Sequence, residues 1–308
     1  MMKLAGSLLL LAACAPPTTP NQPVAPLPDD TASPGSAAVG SGSAVAKAPV
    51  VWPRYPVIPP IAASQPTGDP IAVPSPVAKV GALEHRTYTG RFEEHYDHDA
   101  NTRFQLTKRD FELAIKTLAV TKGQPTQLEV TAHKANEWVA LADAPTTTPR
   151  QDMELLQGTY QVSATEVTRG AVQVEGREQE ELAGMFAEEL AGGEPMVEYM
   201  RAKKLRLGEV VALTEAEKKK FGADDTAPGQ YAVALVAADA KTVTYALEID
   251  AVQKPGGTMT IDIRAHGTIT FDRATGARIL QHNQTHKVEH SEGAIDDSFS
   301  EETIAIKR

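Results

Sequence analysis

Cysteine is nearly absent: Cys14 stands alone in 308 residues. Disulfides, cysteine-ligated zinc and thiol catalysis are therefore excluded from any domain folded downstream of it. Positive charge is also in deficit, with 30 Lys and Arg against 40 Asp and Glu and a formal net charge of −10. Nucleic acid is thereby excluded as a partner, because phosphate binding needs a basic stripe that the chain does not have. No apolar run approaches the ~20 residues that a membrane-spanning helix requires. Catalytic signatures are missing as well: no Gly-x-Ser-x-Gly, no His-Glu-x-x-His, no Gly-x-Gly-x-x-Gly and no phosphate loop. These absences predict a protein that is not an enzyme and needs no cofactor. A hydrolase built from the plentiful carboxylates is the alternative of a different class.

What is present begins at the N-terminus. Lys3 precedes the apolar run Leu4-Ala5-Gly6-Ser7-Leu8-Leu9-Leu10-Leu11, which leads into Ala12-Ala13-Cys14. A charged start, a short apolar stretch and small residues before a cleavage point have the form of a secretory signal. Leu11-Ala12-Ala13-Cys14 closely resembles the bacterial lipobox, in which small residues fit the signal peptidase and the thiol accepts diacylglycerol. The resemblance implies a signal peptide over residues 1–13, a lipidated Cys14 as the mature N-terminus, and the membrane as a partner through palmitate-type chains. Two or three acyl chains anchor stably where one binds reversibly. Ala15 stands where an Asp would retain a lipoprotein in the inner membrane of enterobacterial-type cells, so the expected address is the cell envelope, the outer membrane before the inner.

Sixteen of the 22 prolines lie between Pro16 and Pro76. A Pro/Ala/Ser-rich stretch buries too little apolar surface to offset its ordering entropy, so residues 14–78 are expected to be a disordered linker. Fully extended, such a leash reaches about 200 Å at about 3.1 Å per residue. Within it, Trp52-Pro53-Arg54-Tyr55-Pro56-Val57-Ile58 is unusual; it is either a docking peptide for a partner or a segment that packs on its own domain or stays loose.

Residues 79–308 are expected to form one β-rich domain. Tyr88, Phe92 and Tyr96 share one parity, Phe111, Leu113 and Ile115 take the other after Phe104 and Leu106, and the change predicts a bulge or break near Lys108-Arg109. A meander follows over Gln230–Val236, Thr242–Val252, Met259–Phe271, Ala277–Glu289 and Phe299–Ile306, with Asp272-Arg273-Ala274-Thr275-Gly276 as one hairpin turn. Helices are predicted over Glu178–Leu190, stopped by Gly192-Gly193, and over Glu215–Phe221, opened by a Thr214/Glu217 capping box.

Strands, a helical insertion, Leu205-Arg206-Leu207-Gly208-Glu209-Val210, and then a long meander holding Gly267-Thr268-Ile269-Thr270-Phe271-Asp272 and Thr275-Gly276 resemble uncharacterised periplasmic bacterial lipoproteins. More distantly they resemble LolA-like half-barrels that carry lipids or lipoproteins. Val210 and Val211 depart from that pattern, which often has an aromatic residue there. The resemblance implies a mainly β, α+β fold: a single curved antiparallel sheet, half-barrel-like, with one or two short helices packed on it. It supplies no functional residue.

Three clusters are candidates for binding. Leu182, Met185, Phe186, Met196, Tyr199 and Met200 are a candidate pocket for an acyl chain or other hydrophobic ligand, or else gap-filling core. His95, Asp97 and Asp99 in the Glu93–Asp99 run are a candidate metal site, or else an exposed acidic hairpin. His282, His286 and His290 share a strand face, but a spacing of about 13 Å per four residues is too wide to share one ion. The expected role is a lipid-anchored envelope protein with a non-catalytic binding or structural function, its partner an envelope protein or hydrophobic ligand; a carrier of acyl chains or lipidated ligands is the narrower alternative.

Overall fold

The computed structural model describes residues 55–62, 64–98, 101–142, 151–220, 229–256 and 258–308. Cys14, the apolar run before it, most of the expected linker, and Asp99 lie outside the described residues. In chain order the elements are β1 (Thr67–Ile71), β2 (Leu83–His98), β3 (Asn101–Thr121), β4 (Gln124–Ala142), β5 (Gln151–Glu154), β6 (Gly158–Ser163), β7 (Val167–Arg169), β8 (Val172–Gln173), α1 (Arg177–Leu190), α2 (Pro195–Ala202), β9 (Leu205–Leu207), β10 (Val210–Ala212), α3 (Glu215–Lys220), β11 (Gly229–Ala238), β12 (Thr242–Gly256), β13 (Met259–Asp272), β14 (Arg278–Ser291) and β15 (Ala294–Lys307).

Thirteen strands form one antiparallel sheet in the order β10-β11-β12-β13-β14-β15-β2-β3-β4-β6-β7-β8, with β5 beside β6 on the edge of β4. The path does not return on itself, so the sheet is open, as the half-barrel expectation requires. Pairing of β15 with β2 stitches the end of the chain to the start of the domain over 14 residue pairs. The expected meander is present almost strand for strand. A second, two-stranded sheet of β1 and β9 was not expected.

Local chemistry explains the turns. Lys122 and Gly123 both take positive φ, 53° and 81°, the conformation that a two-residue hairpin between right-twisted strands needs. At the β13–β14 turn, Asp272 Oδ1 accepts from the backbone N–H of Ala274 and Thr275 and from the Thr275 hydroxyl. Helix α1 ends in a Schellman arrangement, with Gly193 N–H donating to Glu188 O at 2.8 Å and Gly192 at φ 114°. Helix α2 opens on Pro195, whose missing N–H costs nothing at the first helical position. The Thr214/Glu217 capping box of α3 is made reciprocally, Glu217 Oε2 accepting from Thr214 N–H and Thr214 Oγ1 from Glu217 N–H.

The change of parity in β3 has a cause other than the expected bulge. Residues 101–116 pair with β2 without any shift, Leu106 with Glu93 and Thr107 with Phe92. The register shifts of β3 against β4 lie at Glu112/Leu113 and beyond, not near Lys108-Arg109. What changes is the face that is covered. Thr107, Arg109, Phe111, Leu113 and Ile115 face the helices, whereas Phe104 and Leu106 lie on the opposite face in a cluster with Ala140 and Trp138. Strands of 16 to 21 residues outrun the helices, so their far halves are buried on their other side.

The helix-covered front face carries two apolar clusters. One packs Leu182, Phe186 and Leu190 of α1 on β2–β4, β6 and β7; the other packs Val197 and Met200 of α2, with Leu205 and Leu213, on β11–β13. Between them runs a polar seam on β14, β15 and β2, where Gln281, Asn283 and Arg86 are buried.

Part of the expected linker belongs to the body. Val73 is in the α2 cluster, Ile61 N–H donates to Glu248 Oε2 at 2.7 Å, and Ala78 N–H donates to Gly123 O at 2.9 Å. A Cβ on Gly276 would lie 1.7 Å from the Pro74 carbonyl oxygen, so the β13–β14 turn approaches this segment as only glycine allows. Residues 64–78 are thus part of the packed structure despite their prolines, because the edge strand β1 and a few apolar anchors offset the ordering entropy. The linker expectation is corrected for them.

Candidate functional site

The seam between the two apolar clusters opens into a cleft of about 310 Å³. Its floor is Arg86 of β2 and Arg278 at the start of β14, with Ile306 of β15 between them. Glu189 at the end of α1 forms one wall, and Glu194, Val197, Glu198 and Arg201 on and before α2 form the other. Residues 76–79 and the β3–β4 and β13–β14 turns complete the rim.

Arginine is placed here by the strand period. Arg86 has the parity of Tyr88 and therefore faces the helices, where burial alone would favour its neutral form. Glu189 and Glu84 keep it charged, at 3.0 Å and 2.6 Å from its Nη2. Burial pushes the Glu84 carboxyl up, but Arg86 and Arg308 outweigh it and leave the pKa below the ordinary value. Arg278 Nη1 donates to Glu194 Oε2 at 2.7 Å and to Gln281 Oε1 at 2.5 Å. Arg201 pairs through Nη1 with Glu198 and lies over the Phe271 ring, 5.1 Å from its centre.

Beside this network Glu188 is pushed up to about 7, by desolvation first and then by Glu194, with Arg278 opposing. The native state therefore holds this proton more tightly than the unfolded chain. Its contribution to stability is full below the ordinary value of 4.5 and is lost as pH rises through about 7. Glu188→Gln should accordingly raise the thermal midpoint on the alkaline side and remove part of the decline between those two values. Identical midpoint-against-pH curves for the two proteins would contradict this.

None of the six residues expected to form an apolar pocket lines the cleft. Leu182, Phe186 and Met200 are 0–1 % exposed, and Met185, Met196 and Tyr199 pack against the same cores. They are also divided: Leu182, Met185 and Phe186 belong to the α1 cluster, and Met196, Tyr199 and Met200 to the α2 cluster. Gap-filling core, the other reading of these residues, describes their placement.

His95 and Asp97 lie on the back face of β2, opposite Asp297 and Ile295 of β15; Asp99 is outside the described residues. No group of three or more metal-ligating side chains occurs among the described residues. His95 instead belongs to an aromatic socket. The Tyr55 ring stacks on His95 and Phe299 at 5.2 and 5.4 Å and meets His286 edge-on at 5.2 Å, while its hydroxyl donates to Asp297 O at 3.0 Å. Of the Trp52–Ile58 segment, Tyr55 thus packs on its own domain. His282, His286 and His290 do share the back face, each beside a different acid: Glu301 at 3.6 Å, Asp297 at 2.7 Å and Asp262 at 3.5 Å.

Sequence reasoning missed the arginine cleft, since Arg86, Arg201 and Arg278 are remote from one another along the chain. One signal was available: Arg86 shares the parity of Tyr88, Phe92 and Tyr96 and so takes a core-facing position of β2. Among the described residues no helix is long and apolar enough to cross a membrane.

No family model and no curated protein matches the sequence. Among solved structures, the chain is similar to a lipovitellin structure concerned with lipid–protein interactions, at 9 % identity and a TM-score of 0.38, over 75 % of this chain and 25 % of that one. It therefore spans a quarter of the lipovitellin chain. It is also similar to OccK7 (OpdD) of Pseudomonas aeruginosa, at 6 % identity and a TM-score of 0.26, over 74 % of this chain and 99 % of that one. A third similarity is to a loop-deletion mutant of the outer membrane protein OmpT of Vibrio cholerae, at 7 % identity and a TM-score of 0.17, over 74 % and 100 % of the two chains.

Proposed function

We propose that this chain is an envelope lipoprotein, cut before Cys14, lipidated on that cysteine and held at a membrane, with the outer membrane favoured by Ala15. Its folded part is a non-catalytic binding or structural module and not a carrier of acyl chains. The observation that carries the second statement is the packing of the front face. Leu182, Phe186 and Met200, where a carrier would open its apolar concavity, are buried against the sheet by their own helices. The surface left between the helices is a cleft in which paired arginines and glutamates stand among apolar side chains. Support for the anchor is the sequence Leu11-Ala12-Ala13-Cys14 with its solitary cysteine.

Cys14→Ser removes the only lipid acceptor. In cells the variant should keep its signal segment uncut, and after treatment to release that segment it should leave the detergent-rich phase for the aqueous one. Wild-type protein should remain in the detergent phase. Equal recovery of both in the detergent phase would sink the anchoring claim.

A further inference from the structure

We propose that the cleft between α1 and α2 binds a phosphate group, as a free phosphate compound or as the headgroup of a lipid. Three arginines with few accessible atoms converge on it: Arg86 and Arg201 are 5 % exposed and Arg278 9 %. Their carboxylate partners occupy only part of each guanidinium. Arg86 bonds through Nε and Nη2, Arg278 through Nη1, and Arg201 through Nη1 alone. Arg201 Nε is buried without an acceptor among the described residues. A guanidinium has five N–H donors and no acceptor, so these three leave a surplus of donors around the cleft.

The acids decide the sign of the ligand. Glu84, Glu189, Glu194 and Glu198 line the cleft, but each already receives an arginine, and Glu84 receives two. A cationic ligand would have to displace one of these. An anion would instead be drawn to the guanidinium N–H groups of Arg86, Arg278 and Arg201 that these carboxylates leave over, with Lys79 at the rim adding a further positive charge. Geometry separates phosphate from carboxylate. One planar carboxylate is satisfied by the fork of one arginine, whereas the oxygens of a tetrahedral anion accept from several directions. Here two arginines rise from the sheet and one comes from the facing helix. The volume is at the lower end of the range for small-molecule sites, enough for a phosphate with a modest organic group attached.

This deepens the binding role proposed above and fails separately from it, because detergent partitioning of the anchor does not depend on the cleft. The test is calorimetric titration of the full chain in non-ionic detergent at low salt with inorganic phosphate and with acetate, and, separately and without detergent, binding of a form lacking its own lipid to vesicles with and without phosphatidate, so that the anchor does not hold the protein to every bilayer. Saturable phosphate binding is expected, with acetate weaker. Arg278→Gln and Arg201→Gln should each weaken it about tenfold or more, the range for a lost hydrogen bond to a charged group. Arg278→Lys, which keeps the charge and loses the fork, should weaken it too. Binding to phosphatidate vesicles alone, lost in the same variants, supports the lipid-headgroup source; binding of inorganic phosphate supports the free one. If a variant fails to fold, a phosphate-dependent rise in the wild-type thermal midpoint that acetate does not reproduce carries the same information. Absence of wild-type binding to either source, acetate binding as tightly as phosphate, or folded variants that bind as wild type does would each overturn the proposal.

Discussion

Glu137→Ala is expected to destabilise the domain by about 3–5 kcal/mol, the cost of leaving a buried charge without its partner. Glu137 is 1 % exposed on the front face of β4. Its Oε2 accepts from Arg109 Nε of β3 at 2.7 Å, and its Oε1 pairs with Arg177, the first residue of α1. Arg109 also pairs with Glu181, one helical turn further along α1, at 3.0 Å. The network ties the start of the helix to two strands, and the alanine would take from Arg109 the more deeply buried of these two carboxylates. Glu137→Gln should cost less, because one oxygen still accepts from Arg109. Chemical denaturation measures both, and an alanine variant within about 1 kcal/mol of wild type, as for an exposed pair, would show that water reaches this network.

Phe186→Ala should cost a similar amount, about 3–5 kcal/mol, by a different mechanism: lost burial together with the cavity left behind. Phe186 is completely buried in the α1 cluster, and Arg86 lies 5.3 Å from its ring centre. Domains of this kind are stable by only about 5–15 kcal/mol, so either substitution uses much of the margin. The thermal midpoint should therefore fall steeply. A midpoint within a few degrees of the wild type would place Phe186 in a site that the solvent or a ligand fills.

Much of this fold is legible in the sequence where it is decided locally. The five strands after residue 229, the Asp272–Gly276 turn, the stop of α1 at Gly192-Gly193 and the Thr214/Glu217 box each follow from period, positive φ or capping chemistry within a few residues. Helix α2 is harder to read, being eight residues long and close behind two glycines. Its signals were Pro195 at the first position and the spacing of Val197, Met200 and Arg201. The features that sequence reading misplaced are those decided by distant chain. The parity change in β3 reads as a bulge from one strand alone, and only the helices on one side and the aromatic back-face cluster on the other explain it. Residues 64–78 read as linker because proline dominates their composition, yet β1 finds β9 from more than a hundred residues away. The arginine cleft is of the same kind: its three buried guanidinium groups come from β2, α2 and β14, and only the tertiary fold makes neighbours of them.

A filled front face separates a binding or structural module from an acyl-chain carrier, whose front face would be open. Titration of the wild-type chain with a fluorescent fatty acid, in a form lacking its own lipid so that no endogenous acyl chain competes, addresses this most directly. Core packing of Leu182, Met185 and Phe186 predicts a linear, unsaturable response and no rise in thermal midpoint with added fatty acid. Saturable micromolar binding that also raises the midpoint would contradict it and make the protein an acyl-chain carrier.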